Sequence, residues 1–265
     1  MDVDLLDIII TSVQIVVLLV LVYGMIDHIK TKEVSITSVL YMFAMVSFLL
    51  NDLYWLSFFV LYPGERMPFS VNSIGEFAFI LLFVSTYKQF FNAYKLKIDV
   101  QSIVIILMTC IYVCLWIRWS GTWTGNILGG IAFGYLACMV VGLIKEYSPA
   151  PKGRLMCIMI IAIIQLILNL LYEFVVTGNA TDIVNIALYI ITYTTEIILL
   201  INITKKLIQN EDNGANLILA GGFLVWCLNG MYMSGDYWYQ LGDTMSIFAF
   251  VYIYICIKRK GDEKA

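Results

Sequence analysis

Four acidic side chains lie inside long apolar runs of this 265-residue chain: Asp52, Glu76, Glu173 and Glu196. A charge at the centre of a membrane helix costs about 2.5–3.5 kcal/mol, so such a residue faces water, a polar partner or a ligand rather than lipid. The chemistry open to it is cation binding and proton exchange. Neighbouring amides and hydroxyls fall in register with these acids. Gln165, Asn169 and Glu173 recur at steps of four, which places them on one face of a helix. Asn185, Thr192 and Glu196 follow at steps of seven and four. Asn51, beside Asp52, precedes Tyr54 by three positions, as Asn169 precedes Tyr172 and Asn229 precedes Tyr232. Thr109 holds the same place before Tyr112.

The candidates for ligand binding or proton coupling are therefore Asp52, Glu76, Glu173, Glu196, Asn51, Asn169, Gln165, Tyr172 and Thr192. The bland alternative is that each acid is protonated and bonded to a neighbouring helix, holding the bundle together. Glu76 and Glu173 could also pair with Arg118 or Arg66 near a surface.

These residues need long apolar elements to position them, and the composition supplies them. Apolar residues make up 61% of the chain and charged residues 13%, about half the charged share of a soluble domain. The surplus apolar surface calls for a bilayer, whose core of about 30 Å takes about 20 residues per helix. The runs are continuous rather than alternating, so an all-α bundle is expected and a β-barrel is not.

A repeat organises the runs. Tyr54, Tyr112, Tyr172 and Tyr232 are separated by 58, 60 and 60 residues, and the following runs close with Lys88, Lys145, Lys205 and Lys258. Nine spans are expected, in one integral-membrane domain covering 1–265: a first span at 5–26, then helical hairpins at 36–90, 100–144, 155–203 and 216–257. Within the hairpins the spans fall at 36–61 and 71–90, 100–117 and 124–144, 155–176 and 183–203, and 216–233 and 241–257. Span eight is the weakest, because it holds Gly221, Gly222, Asn229 and Gly230; an eight-span chain with a broken last hairpin is the alternative.

Basic residues set the orientation. With nine spans and the N-terminus outside, every Lys and Arg except Arg66 and Arg118 falls at an inner end, as the cytoplasmic bias of basic residues requires. The C-terminus is then inside, in the plasma (inner) membrane. Met1 to Asp7 carries no basic residue, so no secretory signal peptide is read there. The outer ends hold turn residues at Pro63-Gly64, Ser120-Gly121, Thr177-Gly178-Asn179 and Ser234-Gly235-Asp236. Trp116, Trp119 and Trp123, with Tyr237, Trp238 and Tyr239, suit the headgroup boundary. Pro149 and Pro151 mark a stiff inner crossing. At a rise of about 1.5 Å per residue, Glu173, Glu76 and Asp52 lie about 6, 8 and 14 Å below the outer ends, and Glu196 about 20 Å. That suggests an acidic cavity open to the outside with Glu196 at its floor.

Gly130, Gly134, Cys138 and Gly142 form a stripe of small residues suited to close helix packing, within the chain or in a homo-oligomer. The six cysteines lack CxxC spacing and are read as small buried hydrophobes. His28, the only histidine, sits at the inner end of the first span. No metal site and no cofactor are expected. HExxH, GxSxG, a Walker motif and a mid-span lysine do not occur in the sequence. No long basic tract suggests nucleic acid. The reading is a non-enzymatic transporter or binder of a polar or cationic small solute, with the lipid bilayer as its surroundings. The alternatives are a sensory or accessory module acting through a separate membrane partner and, more weakly, an intramembrane lipid-modifying enzyme.

Overall fold

Inside a bilayer every backbone N–H and C=O must be satisfied within the protein, so isolated apolar runs of this length fold as helices. The computed structural model describes residues 2–32, 34–62, 69–147, 152–209, 212–233 and 237–264. Among these are nine helices and no strand: α1 (Asp2–Thr31), α2 (Ile36–Leu61), α3 (Phe69–Phe90), α4 (Val100–Ser120), α5 (Thr124–Tyr147), α6 (Lys152–Phe174), α7 (Asn179–Ile208), α8 (Asn213–Met233) and α9 (Tyr237–Lys264). On their described residues, seven of them (α1, α2 and α4 to α8) are long and apolar enough to cross a membrane.

The distribution of side chains is that of a membrane protein. α7 buries Leu188, Thr192, Glu196 and Ile203 while exposing Ile183, Ile186, Ile190, Ile197 and Ile201. α6 buries Gln165 and Asn169 and exposes Met156, Ile160, Ile164 and Ile167. α1 buries Thr11, Gln14 and His28 alongside Leu18 and Met25, and turns Val13, Val16 and Val20 outward. On these three helices these polar side chains face inward and the outward faces are apolar, which a soluble domain would not show. The chain is a multi-pass helical membrane protein.

Local chemistry sets several helix ends. Asp99 accepts from the Ser102 N–H at 2.9 Å and caps α4. Gly121 follows α4 at φ 72°, and its N–H bonds the Ile117 carbonyl; the left-handed region suits glycine. Gly178 precedes α7 at φ 68°. α6 stops at Phe174, short of the expected 176, where the N–H groups of Val175 and Val176 both turn onto the Leu171 carbonyl. Pro63-Gly64, Arg66, Pro149, Pro151 and Ser234-Gly235-Asp236 lie outside the described residues, as do the side chains of Tyr232, Tyr237, Trp238 and Tyr239.

The helices group into two units. The first comprises residues 1–139 and 250–265. In it α2 packs on both α1 and α3. Tyr41 meets Phe83 at 6.0 Å and Phe48 meets Phe79 at 4.8 Å, while Asn51 meets Gly75. The partners ascend on α2 as they descend on α3, so the pair is antiparallel. Phe250 of α9 completes this core, with its ring centroid 5.2, 5.4 and 5.7 Å from those of Phe48, Phe79 and Phe83. Its carbonyl accepts the Tyr41 hydroxyl at 2.8 Å. Farther along α9, Tyr254 lies against Gly24 of α1, and Lys260 Nζ reaches the Phe90 carbonyl at 3.3 Å. A cation is favourable at a helix C-terminus. The C-terminal ends of α1, α3 and α9 thus share one end of this unit.

The small-residue stripe of α5 packs within the chain. A β-carbon on Gly130 would collide with Val113, one on Gly134 would stand 3.3 Å from Thr109 Oγ1, and Cys138 Sγ lies 3.8 Å from the Ser102 carbonyl. Three of the four expected small positions therefore seat α5 on α4, also antiparallel. Trp116 and Trp119 stack edge to face at 5.7 Å near the turn that joins them.

The second unit is residues 140–249. Here α7 packs on α6 and α8, and α6 touches α8. The helix expected to be weakest, α8, is the most buried candidate span, at 72%. Its glycines are the reason: Gly222 admits Ile144 from the end of α5, and Gly230 admits α7. Gly242 of α9 in turn lies against Met231 and the Cys227 carbonyl of α8.

Candidate functional site

The second unit gathers polar side chains from three helices. Gln165 projects from the middle of α6 and is fully buried. Its Nε2 donates to Thr192 Oγ1 on α7 at 2.7 Å. Its Oε1 accepts from Asn229 Nδ2 on α8 at 3.3 Å. The Thr192 hydroxyl in turn donates a hydrogen bond to the Leu188 carbonyl at 2.9 Å. One side-chain amide therefore ties α6, α7 and α8 together. The step of four on α6 and the step of four on α7 both turn their polar residues toward this seam.

Glu196 lies one turn beyond Thr192 on the same face of α7. It is 0% exposed, and neither carboxyl oxygen has a hydrogen-bond partner among the described residues. A carboxylate can accept about four hydrogen bonds, and leaving it buried without any is a large electrostatic cost. The backbone of α8 closes over it at Gly230. A β-carbon there would stand 3.3 Å from Glu196 Oε1 and 3.1 Å from Thr192 Cγ2. The helix can approach this closely only because position 230 has no side chain.

The rest of the polar stripe on α6 grades outward. Asn169 is 2% exposed, with its Nδ2 unbonded among the described residues, whereas Tyr172 and Glu173 are half-buried. Asn185, two turns before Thr192, is also half-buried. The other two acids belong to the first unit. Asp52 is 5% exposed on α2 and Glu76 is half-buried on α3. Between their helices, Gly75 lies so close to Asn51 that a β-carbon would stand 2.8 Å from Asn51 Oδ1.

The structure thus brings Gln165, Thr192 and Glu196 into one seam, sets Asn169 one turn along it, and leaves Glu173 and Tyr172 at its edge. It adds Asn229 and Gly230. Asn229 carried a signal in the sequence, sharing its place before a tyrosine with Asn51 and Asn169. Gly230 read there only as a weakness in a helix. A further acid, Asp243, sits in the second turn of α9. Of the repeated tyrosines, Tyr112 is buried, and Tyr54 and Tyr172 are half-buried. Among the described residues no three His, Cys, Asp or Glu side chains gather as a metal site would require. No family, curated protein or solved structure matches this chain.

Proposed function

We propose that the protein is a nine-span carrier of a polar or cationic small solute, residing in the plasma membrane with its N-terminus outside and C-terminus inside. A non-catalytic acidic cavity open to the outside would receive the solute. The observation that carries this reading is Glu196, a fully buried carboxyl group with no hydrogen-bond donor among the described residues. It sits beside a seam of amides and a hydroxyl. Bundle glue would place a donor on such a group. A bound cation or an exchanged proton removes the same electrostatic liability and can be released again. Intramembrane acids in bundle interiors commonly mark such paths.

The nine-span topology is supported by the shared end of α1, α3 and α9. It collects His28 and Lys30, Lys88, and Lys258 through Lys260 on one side of the first unit. That is the arrangement the inner-side bias of basic residues calls for. The hairpin pairs then offer the repeated halves that alternating access uses.

The test is uptake of a panel of radiolabelled polar and cationic solutes into proteoliposomes, with internal pyranine reporting proton counterflow. At least one solute should accumulate with the native protein, and Glu196→Gln should cut its uptake about tenfold or more. Native rates in all four variants, Asp52→Asn, Glu76→Gln, Glu173→Gln and Glu196→Gln, would remove the carrier reading.

A further inference from the structure

We infer that the ligand held directly by Glu196 is a small inorganic monovalent cation, and that Gly230 sets its size. The inference rests on the carrier reading and narrows it.

Three observations converge. First, Glu196 offers two carboxyl oxygens, both buried and both without a hydrogen-bond donor among the described residues. Second, the polar side chain one turn before Glu196 on the same helix also offers a hard oxygen. The Thr192 hydroxyl donates to the Leu188 carbonyl and accepts one bond from Gln165, which leaves its oxygen a lone pair. Gln165 holds that hydroxyl in place. Oxygen donors of this kind suit alkali and alkaline-earth ions rather than soft metals.

Third, the space beside the carboxyl group is bounded by the backbone of α8. A single β-carbon at Gly230 would already press on both Thr192 and Glu196, at 3.1 and 3.3 Å. Ordinary carbon contacts need about 3.5–4.0 Å. An organic cation with alkyl groups on the α8 side of the carboxyl group would meet the same crowding. A bare ion approaches oxygen at about 2.0–2.6 Å and would not. The charge count selects the valence. One buried carboxylate balances one positive charge and would leave a divalent ion half neutralised.

Sodium is the probe. The purified full-length protein, in detergent, is assayed for ²²Na⁺ binding by scintillation proximity, in choline chloride to hold ionic strength. Native protein should bind saturably, with competition by unlabelled sodium and not by choline. Glu196→Gln should abolish binding, and Gly153→Ala, which meets nothing within 4 Å, should leave it intact. Gly230→Ala, which keeps every ligating oxygen, should weaken sodium binding by about tenfold while lithium competes relatively better. Thermal melting in choline chloride serves as the folding control for each variant.

Absence of saturable binding to the native protein overturns the inference, as does undiminished binding to Glu196→Gln. Uptake of an organic cation that depends on Glu196, without sodium binding, overturns this inference and leaves the carrier reading standing. Sodium binding that depends on Glu196, with no uptake of any solute, supports this site and removes the carrier reading.

Discussion

Gln165 and Asn229 stand 64 positions apart in the chain and share a hydrogen bond of 3.3 Å across α6 and α8. The same glutamine donates to Thr192 on α7, so its amide uses both ends at once. In lipid the alternative to such a bond is an unsatisfied group in hydrocarbon, which makes this residue the junction of the second unit.

Replacing that junction should loosen three helices together. Gln165→Leu keeps similar bulk but removes both bonds, and a loss of about 1–2 kcal/mol is expected for two interhelical hydrogen bonds. Reversible unfolding in mixed micelles would measure it. A variant as stable as the native protein would show that the amide does not hold the helices.

The α4–α5 contact predicts a difference between two glycines. Gly130→Ala drives a methyl group into Val113, whereas Gly153→Ala on α6 meets nothing within 4 Å. Overpacking costs about 1–3 kcal/mol, so Gly130→Ala should lower the melting temperature and Gly153→Ala should leave it nearly unchanged. Equal melting of the two would mean that α5 does not seat on α4 through this stripe.

Phe250 makes a similar pair with its neighbour. Its ring is 0% exposed among Phe48, Phe79 and Phe83, while Phe248 is 44% exposed. Phe250→Ala should cost about 3–5 kcal/mol, and Phe248→Ala should have little effect. The comparison is read from the detergent-solubilised fraction that stays monodisperse on heating.

Topology can be checked by fusion. Alkaline phosphatase joined after Gly121 should be active, and joined after Lys97 inactive. A fluorescent protein at the C-terminus should glow, because that end is expected inside. Inversion at the C-terminus alone would indicate an even number of spans.

Much of this architecture is legible in the chain. The apolar runs locate all nine helices found among the described residues, because a lipid solvent forces the backbone into the helix regardless of detail. Steps of four on α6 and α7 likewise reveal which faces carry Gln165, Asn169, Thr192 and Glu196, because periodicity is local information. Packing between distant segments is not local. Gly230 looked like a fault in α8 until α7 lay against it, since the value of a missing side chain depends on what approaches. The same holds for Gly75 beside Asn51. The hydrogen bond of Asn229 to Gln165 was signalled only in its donor, by a position shared with Asn51 and Asn169; nothing in the sequence names the acceptor. The end of α6 shifted for a simpler reason, as Val175 and Val176 turn onto Leu171 instead of continuing the apolar run.

The bond from Tyr41 to the Phe250 carbonyl has a consequence for biosynthesis. Its two residues are 209 positions apart, and a ribosome adds about 5–20 residues per second. The first hairpin is complete at Phe90, so it enters the bilayer about 8–30 seconds before Phe250 exists to complete its aromatic core. During that interval Phe48, Phe79 and Phe83 must be sheltered by lipid or by the insertion machinery. Stalled synthesis before residue 250 would leave an incomplete intermediate for membrane quality control to recognise.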